Sequence, residues 1–163
     1  MKKYLLIIVT IISFQSAFSQ VDKNSNLFKE IKKVDSLLFE EGFNKCRLDV
    51  IEGLVDDHLE FYHDVAGVQN KEQFLKAMKD NICGNSKQKP IRTLVLKSMQ
   101  VFELKNNGIL YGAIQNASHE FFSKEQNKDL YITGTAKFTH LWLLENNQWK
   151  LKTSLSFNHK PKN

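Results

Sequence analysis

An α+β fold is what this sequence predicts, and three observations carry it. Apolar residues recur at helical spacing in the first half, at Leu27, Ile31, Val34 and Leu38 and again at Phe74, Leu75, Met78 and Ile82. From Ile91 onward the pattern changes to long alternating stretches. Short polar turns separate these stretches, and Asn107-Gly108 is the strongest two-residue hairpin signal among them. Helices segregated from strands must cover one apolar face of the sheet, which defines the class.

Each element follows from its own residues. Leu37 and Phe39 widen the stripe of the first helix, which is expected to run from Leu27 to about Asn44. A short second helix carries Leu48, Ile51, Leu54 and Val55 on one side and is expected to end at Asp56-Asp57. Leu59 to Asp64 alternates as a strand. Asn70 with Gln73 three residues later starts a third helix in capping-box fashion, and Gly84 is placed to end it. Four long antiparallel strands are then expected, at 91–104, 109–122, 130–144 and 149–157. Such strands curl around the helices into a cone whose open end is a cavity.

The N-terminus reads as a leader. Lys2 and Lys3 precede the apolar run Leu5 to Ile12, and Ala17-Phe18-Ser19 supplies small residues before a cleavage site at Gln20. The run is shorter than the ~20 apolar residues a membrane span needs. The residue directly after the cut is Gln20 rather than a cysteine, so a lipoprotein anchor is not expected. The reading is a signal peptide at 1–19 and a single domain at 20–163, periplasmic or secreted, with no membrane anchor in the mature chain. Without Lys2 and Lys3 the formal charge falls from +5 to +3. The remaining charges are interleaved, as at Lys29, Glu30, Lys32, Lys33 and Asp35, which describes a solvated surface. No arginine-rich stripe points to nucleic acid.

Two cysteines remain, Cys46 and Cys83. An even count in an oxidising compartment suits a disulfide. Two separate buried thiols would suit the same spacing, so the sequence leaves both open.

Four of the five histidines fall in registers that point inward. His63 shares the face of Leu59 and Phe61, and His119 follows Tyr111, Ala113, Gln115 and Ala117. His140 sits between Phe138 and Trp142, and His159 ends a register of Trp149, Leu151, Thr153, Leu155 and Phe157. His58, at a helix–strand junction, reads as exposed. An inward imidazole costs a few kcal/mol unless it finds partners. Four of them on one concave face describe a polar-lined pocket.

Five stretches resemble the nuclear transport factor 2-like superfamily, which includes ketosteroid isomerases and SnoaL-like cyclases. They are LLFEEGFNKC (37–46), LEFYHD (59–64), LYGAIQ (110–115), KFTHLW (137–142) and NQWKL (147–151). The similarity spans about residues 27–159, and it looks most like an exported bacterial branch known as a domain of unknown function. It implies a cone with three N-terminal helices packed on a curved antiparallel sheet, a pocket and a homodimer, but no single activity. The carboxylate, tyrosine and protonated acid of the isomerases have no evident counterpart, since neither Tyr62 nor Asp64 maps onto those positions.

The candidate catalytic residues are His63, Asp64 and His140, with acid–base work as their chemistry. In a regular strand His63 and Asp64 face opposite ways, so only a bulge or a strand end lets both act. Arg92, Gln115, His119, Trp142 and His159 are the candidate ligand-binding residues. Arg92 would greet an anionic ligand or form a surface salt bridge. No H-x-H, H-x-x-x-H or H-E-x-x-H spacing occurs, so no metal is expected. No phosphate-binding glycine loop or G-x-S-x-G elbow occurs either, so no cofactor is expected. The function expected is an exported small-molecule-binding domain, open to acid–base catalysis on an unassigned substrate. The alternative is a non-catalytic interaction or dimeric assembly module.

Overall fold

The computed structural model describes residues 20–84 and 87–162, so the expected leader lies outside the described residues. Helix α1 spans Asn26–Ser36, and the Ser25 hydroxyl accepts from the Phe28 N–H at its start. The chain then widens into a π-helical segment, Leu37–Phe43, where the Asn44 N–H reaches back to the Phe39 carbonyl at 2.6 Å. Gly42 is required here, because a Cβ would lie 2.5 Å from Ile51 of the next helix. That helix, α2, is Leu48–Leu54.

Strand β1 is Val55–His63 and β2 is Gly67–Gln69. The expected helix end at Asp56-Asp57 is therefore corrected. Val55 is buried and already belongs to the strand, while Asp56 and Asp57 pair with Lys152 and Lys71. Helix α3, Lys71–Ala77, starts with the reciprocal Asn70–Gln73 capping box and continues as a π-helical turn, Met78–Ile82. Cys46 and Cys83 are bonded, tying the region after α1 to the end of this helix. A closure of 37 residues contributes about 3–4 kcal/mol in the chain-entropy model.

The remaining strands are β3 (Gln88–Leu94), β4 (Gln100–Asn106), β5 (Ile109–Glu125), β6 (Tyr131–Glu145) and β7 (Gln148–Pro161). The single strand expected at 91–104 is two strands, separated by a 3-10 turn at Leu96–Ser98. The long strand β5 outreaches either partner, pairing β4 along its first half and β3 along its second. Asn107-Gly108 and Asn146-Asn147 turn at positive φ, as tight hairpins require. The sheet runs β2-β1-β7-β6-β5-β3, with β4 also on β5. It is mixed rather than wholly antiparallel, because β1 lies parallel to β7. Phe28, Ile31, Val34 and Leu38 of the first helix join Ala113, Ala117, Phe138 and Trp142 of the sheet in one core.

The register of β7 departs from simple alternation. Trp142 pairs Leu151 while Leu141 pairs Thr153, so Lys152 is an extra residue and the strand flips its faces. Beyond it Ser154 and Ser156 point inward and are buried, whereas Leu155 and Phe157 are exposed. That reverses the expected inward placing of Leu155 and Phe157. A second extra residue lies between the Phe157 and Lys160 pairings, where Asn158 adopts φ 60°. It flips the strand back, so His159 faces inward after all.

Candidate functional site

The wide end of the cone holds a cavity of about 270 Å³, near the lower end of the usual range for ligand sites. Its walls are mainly apolar: Leu38, Phe39 and Phe43 from the first helix, Phe74 from α3, Leu59 and Phe61 from β1, and Phe121 and Phe138 from the sheet. The polar lining is His63, Gln69, Asn81, His119, His140, Ser154 and Ser156.

Behind this lining lies a buried network centred on Asp35. Arg92 makes two hydrogen bonds to its carboxylate, at 2.8 and 3.0 Å, and both side chains are almost fully buried. Phe39 covers the guanidinium, 3.7 Å from its ring centroid. Gln115 donates its amide to Asp35 at 2.9 Å, which turns its carbonyl toward Trp142 and His140. The Trp142 indole donates to that oxygen at 2.9 Å, and His140 Nδ1 lies 3.3 Å from it.

These partners assign the imidazole protons, because an arginine N–H or an indole N–H can only donate. His140 Nδ1 faces a carbonyl oxygen and so carries the proton, leaving Nε2 as an acceptor. His119 is the opposite case: Arg92 Nε donates to its Nδ1 at 3.3 Å, so its proton is on Nε2. Burial, then the Arg92 charge and then His159 and His63, lower the His119 pKa to about 3. Burial, followed by Arg92 and His119, holds His140 well below the usual histidine range. Both rings are neutral near pH 7, one offering a donor and the other an acceptor.

At the rim a second group forms from the ends of β1 and β7. Asp64 follows the last residue of β1. Its two oxygens accept from the His159 backbone N–H at 3.1 Å and from His159 Nδ1 at 2.5 Å. The free Nε2 of His159 is 3.4 Å from the Ser156 hydroxyl. Burial raises the Asp64 pKa, but the His159 hydrogen bonds and charge outweigh it and leave the carboxyl below its ordinary value. His63 stacks on His159 with centroids 4.3 Å apart, and its Nδ1 accepts from the Val65 and Ala66 N–H groups. Its own proton is thus on Nε2. Burial and the neighbouring His159 lower its pKa, and Asp64 raises it by less.

The fold also brings ligand-type atoms of His63, Asp64 and His159 within 4.8 Å of one another, although no metal spacing exists in the sequence. Nδ1 of His63 accepts from two backbone donors and Nδ1–H of His159 is held by the carboxylate, whereas Nε2 of His159 keeps its lone pair.

No protein-family model and no curated protein matches the sequence. Solved structures do. A Cytophaga hutchinsonii NTF2-like protein aligns with a TM-score of 0.59 at 15% identity, over 81% of this chain and 98% of that one. ActVI-ORFA from Streptomyces coelicolor gives 0.69 at 8%, over 83% and 98%. A Salmonella enterica protein of the nuclear transport factor 2 (NTF2-like) superfamily gives 0.61 at 14%, over 79% and 88%. The chain has the nuclear transport factor 2-like fold.

In this nuclear transport factor 2-like cone the predicted site residues separate into layers. His63, His119 and His140 line the cavity. Asp64 and His159 stand at its rim, joined as described. Arg92, Gln115 and Trp142 lie one layer behind and do not touch the cavity, a correction to their expected contact with ligand. Arg92 is also no surface salt bridge, being 1% exposed. Sequence reasoning missed Asp35 and Ser156. Asp35 carried a signal, since it falls four residues after Ile31 on the apolar stripe of α1. Ser156 carried none, because the Lys152 bulge that turns it inward has no mark in the residue pattern.

Proposed function

We propose that this is an exported small-molecule-binding protein, whose ligand has an apolar body and presents an acceptor oxygen to His119. One observation carries the reading. Among the described residues, the buried side-chain atoms without a partner are His119 Nε2 and Gln69 Oε1, and both residues line this cavity. A buried polar atom left unpaired costs about 1–3 kcal/mol, which a ligand recovers on binding. A carbonyl oxygen suits the His119 donor, and a hydroxyl suits Gln69. The Asp64–His159 pair supplies a general base at the rim, so acid–base catalysis belongs to the same proposal.

Thermal-shift screening of small ketones against hydrocarbons of the same shape tests it. A ketone at 100 times its Kd should add about 2.7 kcal/mol, several degrees in Tm. The hydrocarbon should add much less. Equal shifts for both would overturn the role of His119. His140→Phe should keep its stability, because Gln115 Oε1 retains the Trp142 donor, while losing any ligand that donates to His140 Nε2.

Export and dimerisation belong to the proposal as well. The Lys152 bulge adds Leu155 and Phe157 to the outer face on which Leu141 and Thr139 also lie, and Tyr62 pairs beside Leu155. Such a face suits sheet-to-sheet packing of two copies. Exported material should begin at or near Gln20, and light scattering at micromolar concentration should return twice the monomer mass. A retained Met1 or a monomer would refute the respective point.

A further inference from the structure

We propose that Ser156 is a nucleophile, activated by His159 and Asp64, and that the cavity takes small apolar esters. The inference rests on reading the cavity as a small-molecule site and adds a reaction to it. Three observations carry it. Ser156 lines the cavity, whereas His159 and Asp64 do not, so the His159 base reaches cavity contents through the Ser156 hydroxyl. Asp64 grips both the backbone N–H and the Nδ1–H of His159, which fixes the tautomer with a free Nε2 toward Ser156. A nucleophile within reach of a base that a third group orients is the signature of an activated hydroxyl, and a 3.4 Å contact is of the looser kind seen before substrate binds. The neutral Nε2–H groups of His63 and His119 line the same cavity and can donate to a developing oxyanion.

The reaction balances with water as the only co-reactant. The Ser156 oxygen bonds to the ester carbonyl carbon while its proton passes to His159 Nε2. The carbon–alkoxide bond breaks, and the alkoxide leaves as an alcohol with that proton. Water then attacks the acyl-serine, gives a proton to His159, and the proton returns to Ser156 as the carboxylic acid departs.

The test uses the mature chain with its disulfide intact, an alkyl fluorophosphonate and p-nitrophenyl butyrate. One phosphonyl group should appear on the peptide containing Ser156, as the oxygen–phosphorus bond forms and fluoride leaves. Ser156→Ala should abolish labelling in protein that stays folded by circular dichroism. His159→Gln and Asp64→Asn should slow labelling and ester turnover at least 100-fold. Ser156→Cys should still become acylated by the nitrophenyl ester. Unlabelled Ser156 in protein that still binds the ketone would overturn the nucleophile and leave the binding reading standing. Equal labelling in wild type and His159→Gln would overturn the relay.

Discussion

Arg92→Ala is expected to cost about 3–5 kcal/mol, the scale for removing one partner of a buried ion pair. The substitution strands the Asp35 carboxylate beside Gln115 with no cation, because both charges are almost fully out of water. It also removes the Nε–H that fixes the His119 tautomer and the guanidinium that packs on Phe39. Against a domain stability of about 5–15 kcal/mol this is a large fraction, equivalent to a fall of roughly 10–20 °C in Tm. Removing both charges together is a different experiment. Asp35→Leu with Arg92→Met should recover most of the stability, since an apolar pair of similar volume avoids the desolvation penalty. Recovery stays incomplete because the Gln115 amide loses its acceptor. The double variant should not recover the ketone-dependent thermal shift, because nothing then holds His119 with its proton toward the cavity. Urea denaturation of the single and double variants checks this. A single variant that loses less than about 1 kcal/mol would remove the pair from the account of stability, since that is the scale of an exposed pair.

What the sequence made legible follows the physics of each element. The helices of the first half were visible because one face of each meets the core, and the hairpins because Asn107-Gly108 supplies the positive φ that a tight turn needs. His63, His119 and His140 were placed correctly by alternation, since β1, β5 and β6 keep their faces through those residues. Strand β7 was not legible. Its apolar alternation through Leu155 and Phe157 is real, but it describes the outer face, because the Lys152 bulge exchanges the two sides. His159 reached its inward position only because Asn158 exchanges them again. The strand end at His63 likewise frees Asp64 to turn toward His159, a contact between residues 95 apart in the chain. The Asp35–Arg92 pair was hidden for a related reason. Each residue alone looks like surface charge, and only the packing of α1 on the sheet brings them together across 57 residues.

Acid should unfold this protein earlier than its carboxylates alone would allow. His119 has a folded pKa of about 3 against 6.5 when exposed, so between those values the unfolded chain binds the extra proton. Stability is therefore full above pH 6.5 and falls as pH drops toward 3, by about 1.4 kcal/mol per pH unit for such a group. At about pH 4.5 the loss attributable to His119 is roughly 3 kcal/mol, and His140 acts in the same direction. The groups that face them explain why the protein cannot relieve the cost by protonating in place. Arg92 on β3, His63 on β1 and His159 on β7 confront His119, while Arg92 and His119 confront His140. The Arg92 guanidinium beside both rings opposes a second positive charge, and the Asp35 carboxylate that could offset one is already engaged by Arg92 and Gln115. Asp56 and Asp64, whose carboxyls lie below their ordinary values, add losses only from about pH 4 downward. Urea midpoints taken from about pH 7.5 down to about pH 4.5 should therefore stay level to about pH 6.5 and then fall steadily in wild type. His119→Phe should start lower, by about 1–3 kcal/mol for the Arg92 N–H it leaves unpaired. Its dependence on pH should be shallower, so that the two proteins converge at the acid end of the series. Parallel curves would show that His119 does not stay neutral in the folded state. The ketone offers an independent check, since an imidazolium keeps the Nε2–H and donates more strongly, so protonation of His119 in the folded state would tighten ketone binding as the pH falls. Its Kd for folded protein should stay flat across the window in which stability is being lost.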